Sequence, residues 1–301
     1  MNLNNLDEDT FKKKIKQGLN IQIGCFCVNI KTSISEVISN IYFLYSNHHC
    51  ITEDAFVDFH VSINAPKSIR RWFRPQAYFE IDGYQPIEPL PLAHAYPLFE
   101  WGLNWCIANR AHQYLIFHAA IIEKEGKAIL MPGVPGAGKS TFCAALVHDG
   151  WSLISDELAL VDVLDGKVHP MPKPISLKNE SIEVISSLYS DAAFGNIYHN
   201  TSKGTLTHLR ASNASGRIST IKWVLFPRYD KKSSTRLIDE NKGRAHIELL
   251  NNAFNSNVFG LQGFDAINKI LEHSRVVRLA YSDILNAVKA VNRLTERSKN
   301  V

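Results

Sequence analysis

The chain has 301 residues, 45% of them hydrophobic and 21% charged, which is enough apolar material for one large or two modest globular domains. Its formal net charge of +4 comes from 33 basic and 29 acidic residues with no long run of like charge, which argues against nucleic acid as a partner. No stretch approaches about 18 uninterrupted apolar residues and the polar start "MNLNNLDEDTFKKKIKQG" has no apolar h-region, so neither a membrane span nor a secretory signal is expected, and the cytoplasm is the expected compartment.

In chain order, "ISEVISNIYFLY" (34–45) places Ile34, Val37, Ile38, Ile41 and Tyr45 at helical spacing, and "VDFHVSI" (57–63) alternates Val57, Phe59, Val61 and Ile63 as a half-buried strand does. Short aromatic strands and a turn at Asp82-Gly83 follow, and the aromatic cluster Trp72, Phe73, Tyr78 and Phe79 reads as core. The prolines between Pro86 and Pro97 mark a linker, and "LFEWGLNWCIANRAH" reads as a helix. The five cysteines, Cys25, Cys27, Cys50, Cys106 and Cys143, are odd in number and lack CxxC spacing, so buried reduced thiols are expected rather than a zinc site.

From Tyr114 the pattern changes. "YLIFHAAIIEKEGKAILMPG" predicts a β-hairpin whose second strand runs into a glycine-rich loop, and "KSTFCAALVHDG" predicts a short helix stopped by Gly150. "WSLISDELALVD" reads as the next strand, Asp165-Gly166 as a turn, and "KVHPMPKPISLKN" as a loop-rich stretch. Residues 180 to 217 show little periodicity and read largely as mobile surface loop suited to handling a substrate. "STIKWVLFPRY" is a strand, a helix lies around 265–272, "RVVRLAYS" is a strand, and a last helix starts at Ser282 as N-cap, with Ile284, Leu285, Val288 and Val291 on one face and Arg293 and Arg297 toward its end.

The loop "GVPGAGKS" has the P-loop spacing Gly133-x4-Gly138-Lys139-Ser140, with a strand before it and a helix after it as that motif requires. Gly133, Gly136 and Gly138 let backbone N–H groups converge on phosphate oxygens at a helix N-terminus. The expected nucleotide cradle is Gly133, Val134, Pro135, Gly136, Ala137, Gly138, Lys139, Ser140 and Thr141. Lys139 is expected to reach the β- and γ-phosphates and the Ser140 hydroxyl to sit on Mg²⁺. ATP and Mg²⁺ are the implied cofactors. Asp156-Glu157, ending an apolar run, reads as an acidic pair at Mg²⁺ and an attacking water, although Asp156 follows Lys139 by only 17 positions, closer than motor and transport ATPases place it.

That compact spacing, together with His118 placed 21 positions before Lys139, resembles the bacterial HPr kinase/phosphorylase family and its relatives in the phosphoenolpyruvate carboxykinase superfamily. There a strand beginning "HG" leads through a hairpin to the P-loop, a short helix and "LIADD"; the matching pieces here are "FHAA" (117–120), "GVPGAGKS" (133–140) and "LISDE" (153–157). The resemblance implies that Asp156 is a general base for an acceptor hydroxyl, that Glu157 is a Mg²⁺ or second-sphere ligand, and that His118 is the histidine near the phosphates; a core histidine is the other reading of His118. The family's "EIRGLG" segment is absent. "KPISLKN" stands in its place, and with His208-Leu209-Arg210 it resembles the HPr kinase-related kinases, whose members carry "P-x-SLK" and "HLR". Lys178 and Arg210 read equally as ligands of phosphate or an anionic acceptor and as plain surface cations.

The expected fold is α/β: a nucleotide-binding core of the carboxykinase/HPr kinase type on a mixed, twisted sheet over 112–301, preceded by a smaller α+β domain over 1–95 suited to homo-oligomerisation, with 96–111 as a connecting helix. The expected activity is transfer of the ATP γ-phosphate to a hydroxyl of a protein serine or a small molecule. The alternative is a P-loop ATPase or regulatory nucleotide switch with no phospho-acceptor. GTPase identity is disfavoured because Asn241-Lys242-Gly243-Arg244 lacks the aspartate of a guanine-reading NKxD motif.

Overall fold

The computed structural model describes residues 1–52, 54–66, 73–133 and 136–297. Trp72, Val134 and Pro135 lie outside the described residues, as does the side chain of Arg297. The chain forms two units, Met1–Ala111 with Ala193–Arg210, and His112–Ala192 with Ala211–Val301. Both mix helices and strands, so the α/β class holds. Among the described residues, no helix is long and apolar enough to cross a membrane.

The first unit opens with α1 (Glu8–Gln17), capped by Asp7, whose Oδ1 accepts from the Thr10 N–H at 2.9 Å; Phe11 and Ile15, four residues apart, form its buried stripe. Strands β1 (Leu19–Ile23) and β2 (Phe26–Thr32) make a hairpin, α2 (Ser35–Leu44) buries Val37, Ile38, Ile41 and Leu44, and β3 (His49–Cys50), β4 (Phe59–Asn64), β5 (Gln76–Ile81) and β6 (Leu90–Pro91) complete a sheet of order β3-β1-β2-β4-β5-β6. The period-2 alternation of β4 buries Phe59, Val61 and Ile63. In the expected aromatic core cluster Phe79 is fully buried, but Phe73 is 82% exposed, since it lies in the turn before β5 and not on the sheet.

Helix α3 (Ala95–Arg110), expected as a connector, belongs to the first unit, where Gly102 packs flat on the Phe79 ring and leaves no space for a β-carbon. The buried Glu100 carboxylate on α3 accepts from the hydroxyls of Tyr45 (2.8 Å) and Tyr96 (2.6 Å), so a carboxylate that would be costly alone is hydrogen-bonded.

The second unit begins with the hairpin β7 (Tyr114–Lys124) and β8 (Lys127–Pro132), then α4 (Lys139–His148). The single strand expected over "WSLISDELALVD" is two, β9 (Ser152–Ser155) and β10 (Leu158–Asp162), separated by Asp156 and Glu157. The stretch expected to be loop-rich contains β11 (Lys167–His169) and β12 (Ile175–Lys178), so Lys178 closes a strand.

Residues 180 to 217, expected largely as loop, are also substantially ordered: α5 (Glu180–Leu188) is followed by the hairpin β13 (Tyr198–Thr201) and β14 (Gly204–Leu209), which belongs to the first unit. Within that unit Asn196 N–H donates to Asn40 Oδ1 at 3.2 Å, and Tyr198 stacks on Tyr96 with ring centroids 6.4 Å apart. Alternating periodicity is weak here because the strands are short and the anchors distant in sequence.

The second unit continues with β15 (Ser219–Tyr229), β16 (Arg236–Asp239), α6 (Lys242–Asn251), α7 (Ser256–Phe259), α8 (Leu261–Glu272), β17 (Arg275–Tyr281) and α9 (Ile284–Arg297). Its sheet runs β11-β10-β7-β8-β15-β17-β16, with β9 also on β7 and β11 also on β15. Strands β8, β15 and β17 are mutually parallel, whereas β7, β9, β10, β11 and β16 pair antiparallel, so the sheet is mixed. The continuous apolar run Trp223 to Pro227 is buried throughout, as expected of a strand covered on both faces.

Helix α9 is capped by Asp283, whose Oδ1 accepts from the Asn286 N–H at 2.7 Å, one residue later than expected. Its buried face is Ala287, Val288, Val291 and Leu294, and Leu285, expected on that face, is 42% exposed. Of the cysteines, Cys27, Cys106 and Cys143 are buried, and Cys25 and Cys50 are partly exposed; no disulfide joins any two of them.

Candidate active site

The glycine-rich loop joins the end of β8 to the start of α4. Gly136 (φ 87°) and Gly138 (φ 86°) take the left-handed conformation that side-chain-bearing residues avoid, and at Gly138 a β-carbon would also lie 2.8 Å from the Tyr281 hydroxyl oxygen. Among the described residues no side chain caps α4, which leaves its first N–H groups without an intrahelical or capping partner. Ala137, Ser140 and Thr141 are half-buried around it. Lys139 is only 7% exposed, and its ammonium donates to the Gly133 carbonyl oxygen, folding the side chain back over the loop.

Asp156 and Glu157 occupy the two-residue break between β9 and β10. The register on β7 slips between Ile121 and Ile122, a β-bulge in β9 just before the acidic pair, of the kind that re-aims side chains. His118 on β7 lies directly opposite Leu158, and therefore beside Glu157; its backbone N–H donates to the Asn252 carbonyl at 2.7 Å and its ring meets Phe254 edge-on at 6.0 Å.

Asp156 is 4% exposed. Its Oδ2 accepts from the Ser176 N–H at 3.1 Å, while Oδ1 is buried and, among the described residues, without a close hydrogen-bond partner, as is the Ser176 hydroxyl. Each such orphan costs about 1–3 kcal/mol, which a ligand can recover. Burial, with the neighbouring Glu157 carboxylate adding to it, pushes the Asp156 carboxyl up to about 7; the Ser176 N–H, the nearby Ser140 hydroxyl and the Lys178 charge pull the other way. Burial lowers Lys139, opposed by Asp156 and Glu157 and reinforced by Lys178. Burial also lowers His118, reinforced by Lys139 and Lys178 and opposed by Glu157.

Five of the residues singled out in the sequence, His118, Lys139, Asp156, Glu157 and Lys178, thus share one electrostatic environment. Lys178 stands at the end of β12, its backbone N–H donating to the Ser181 hydroxyl at 2.7 Å. Arg210 belongs to the first unit, where its guanidinium donates to the Phe43 carbonyl (3.3 Å) and the Ser46 hydroxyl (3.0 Å) and covers the Phe43 ring. Those contacts give it a structural role there. Ser176, which holds Asp156 in place, has a backbone role that carries no signature in the side-chain sequence.

The Glu157 carboxylate and the Ser140 hydroxyl are oxygen donors of the hard type suited to Mg²⁺, and both lie close to Asp156.

The family model for SynChlorMet cassette protein ScmC matches residues 103–191, less than a third of the chain, including the glycine-rich loop and the acidic pair. No curated protein matches the chain.

Proposed function

We propose that the chain is a Mg-ATP-dependent phosphotransferase of the HPr kinase-like, carboxykinase-type P-loop class, delivering the γ-phosphate to a hydroxyl of a protein serine or a small molecule. The observation that supports it most is the buried Asp156 carboxyl beside the glycine-rich loop, with one oxygen unpartnered and its proton affinity raised to about 7. A hydroxyl is a poor nucleophile, and a base titrating near neutrality is well matched to taking its proton as in-line attack proceeds.

In this reading the N–H groups of the loop and of α4, from Gly136 to Thr141, cradle the phosphates, and Lys139 turns from the Gly133 carbonyl to the β- and γ-oxygens. Ser140 and Glu157 hold Mg²⁺, which when bound would neutralise phosphate charge. Lys178 adds a positive charge near Asp156, and His118, whose pKa burial lowers, is placed to hydrogen-bond near the transferring group. Asp156 Oδ1 accepts the acceptor's proton while the Ser176 N–H fixes Oδ2.

Incubation with γ-labelled ATP and a cell extract, separated into macromolecular and small-molecule fractions, is expected to place label on one fraction with wild-type protein and on neither with Asp156→Asn. Undiminished transfer by that variant would reject Asp156 as the base. Release of labelled phosphate at the same rate with and without extract would favour the acceptor-free ATPase or switch instead.

A further inference from the structure

The strand order of the second unit gives the glycine-rich loop two unlike flanks. On one side of β8 stand β7, which carries His118, and β9 and β10, between which lie Asp156 and Glu157. On the other side β15 and β17, both running the same way as β8, end in Tyr229 and Tyr281.

These tyrosines are register partners on adjacent strands, with ring centroids 5.7 Å apart and planes at 64°. Tyr281 is buried and held against Phe142 of α4 at 5.4 Å, whereas Tyr229 is 46% exposed. Both border the loop itself: a β-carbon on Gly138 would lie 2.8 Å from the Tyr281 hydroxyl and 3.4 Å from the Tyr229 β-carbon.

A nucleoside triphosphate cradled by the loop with its γ-phosphate toward the carboxylates must extend its base toward the opposite flank. Ligands of parallel α/β sheets lie in the crevice at the carboxyl ends of the strands, which is where Tyr229 stands. The charged groups of the other flank suit phosphate and metal; the half-exposed aromatic face of this one suits the flat, polarisable face of a base.

We propose that Tyr229 is a base-stacking residue for the bound nucleoside triphosphate, held in place by the buried Tyr281. The proposal rests on the nucleotide reading above and adds to it which flank takes the base.

Calorimetric titration of the full chain with Mg-ATP and, separately, with inorganic tripolyphosphate reads base and phosphates apart. Tyr229→Ala is expected to weaken Mg-ATP binding about 5- to 100-fold, the range of one lost base–aromatic stack, and to leave tripolyphosphate within about twofold. Tyr229→Phe, which keeps the ring, is expected to hold Mg-ATP within about threefold on the same ground. Mg-ATP affinity unchanged in Tyr229→Ala, or lost equally for both ligands, overturns the stacking role while wild-type ATP binding still upholds the nucleotide reading. Wild-type protein that binds neither ligand overturns both.

Discussion

The Ser176 backbone N–H donates to Oδ2 of Asp156 at 3.1 Å, across 20 positions of sequence, while Oδ1 of the same carboxyl is buried without a close hydrogen-bond partner among the described residues. The Ser176 N–H and the Ser140 hydroxyl do not compensate for the desolvation of a whole carboxylate, so the folded protein holds the proton more tightly than the unfolded chain does. Unfolded, the group titrates near 3.8; folded, near 7. Between those values the native state holds a proton that the unfolded chain has released. The stability from this group is therefore full below pH 3.8, falls as pH rises through the window by about 1.4 kcal/mol per unit, and levels off above about 7.

Asp156→Asn imitates the neutral acid at every pH. Without nucleotide, its melting temperature is expected to match that of the wild type near pH 4 and to exceed it clearly at pH 8. Melting curves of both proteins across that range provide the check. A gap that does not widen with pH would mean that the carboxyl is not desolvated in the folded protein.

Lys139 is almost fully buried, yet its cationic charge is offset by Asp156 and Glu157 and crowded by Lys178. Under the phosphotransferase reading it contacts phosphate in both ground and transition states, so Lys139→Ala is expected to lower Mg-ATP affinity and label transfer together, each about tenfold or more. Calorimetry and the label assay test it, and an unchanged affinity would contradict the cradle.

At Gly138 two obstacles to a side chain coincide, the φ of 86° and the Tyr281 hydroxyl. Gly138→Ala is expected to cost about 1–2 kcal/mol from the left-handed backbone alone, with the steric clash added. Tyr281→Phe in the same chain removes the oxygen and leaves the dihedral, so it should restore part of the loss and not all of it. Thermal denaturation of the single and double variants separates the two terms; complete restoration would show that φ carries no strain.

The convergence of His118, Lys139, Asp156 and Glu157 was legible because they lie in one local unit, hairpin, loop, helix and strand, over about 40 residues, where spacing translates almost directly into position. Lys178 was legible only through its motif. Hidden from the sequence were features set by pairing at a distance. The apolar run 151–162 conceals the bulge and the break that expose the acidic pair to the loop, because a strand buried on both faces has no alternation to interrupt. Arg210 reads as a free cation until its partner Ser46, 164 positions away, is known. The segment "NKGRAHIELLN" reads in sequence as a failed guanine motif, yet it forms α6, whose Asn241 side chain accepts from the Gly243 and Arg244 N–H groups as an N-cap.

In the first unit the packing of α3 on the sheet depends on one missing methyl group. Gly102 meets the face of Phe79, and an added β-carbon would fall on the ring carbons, which are confined by a fully buried core and have nowhere to swing. Gly102→Ala gains up to about 1 kcal/mol of helix propensity and loses about 1–3 kcal/mol to overpacking, so a net loss is expected. Phe79→Leu alone should destabilise by opening a gap. Combining the two fills that gap with the new methyl group, so the double variant should be more stable than the summed single losses predict. Chemical denaturation of the four proteins measures the coupling; strict additivity would mean that the helix can slide away from the ring and that Gly102 is not what sets its distance from the sheet.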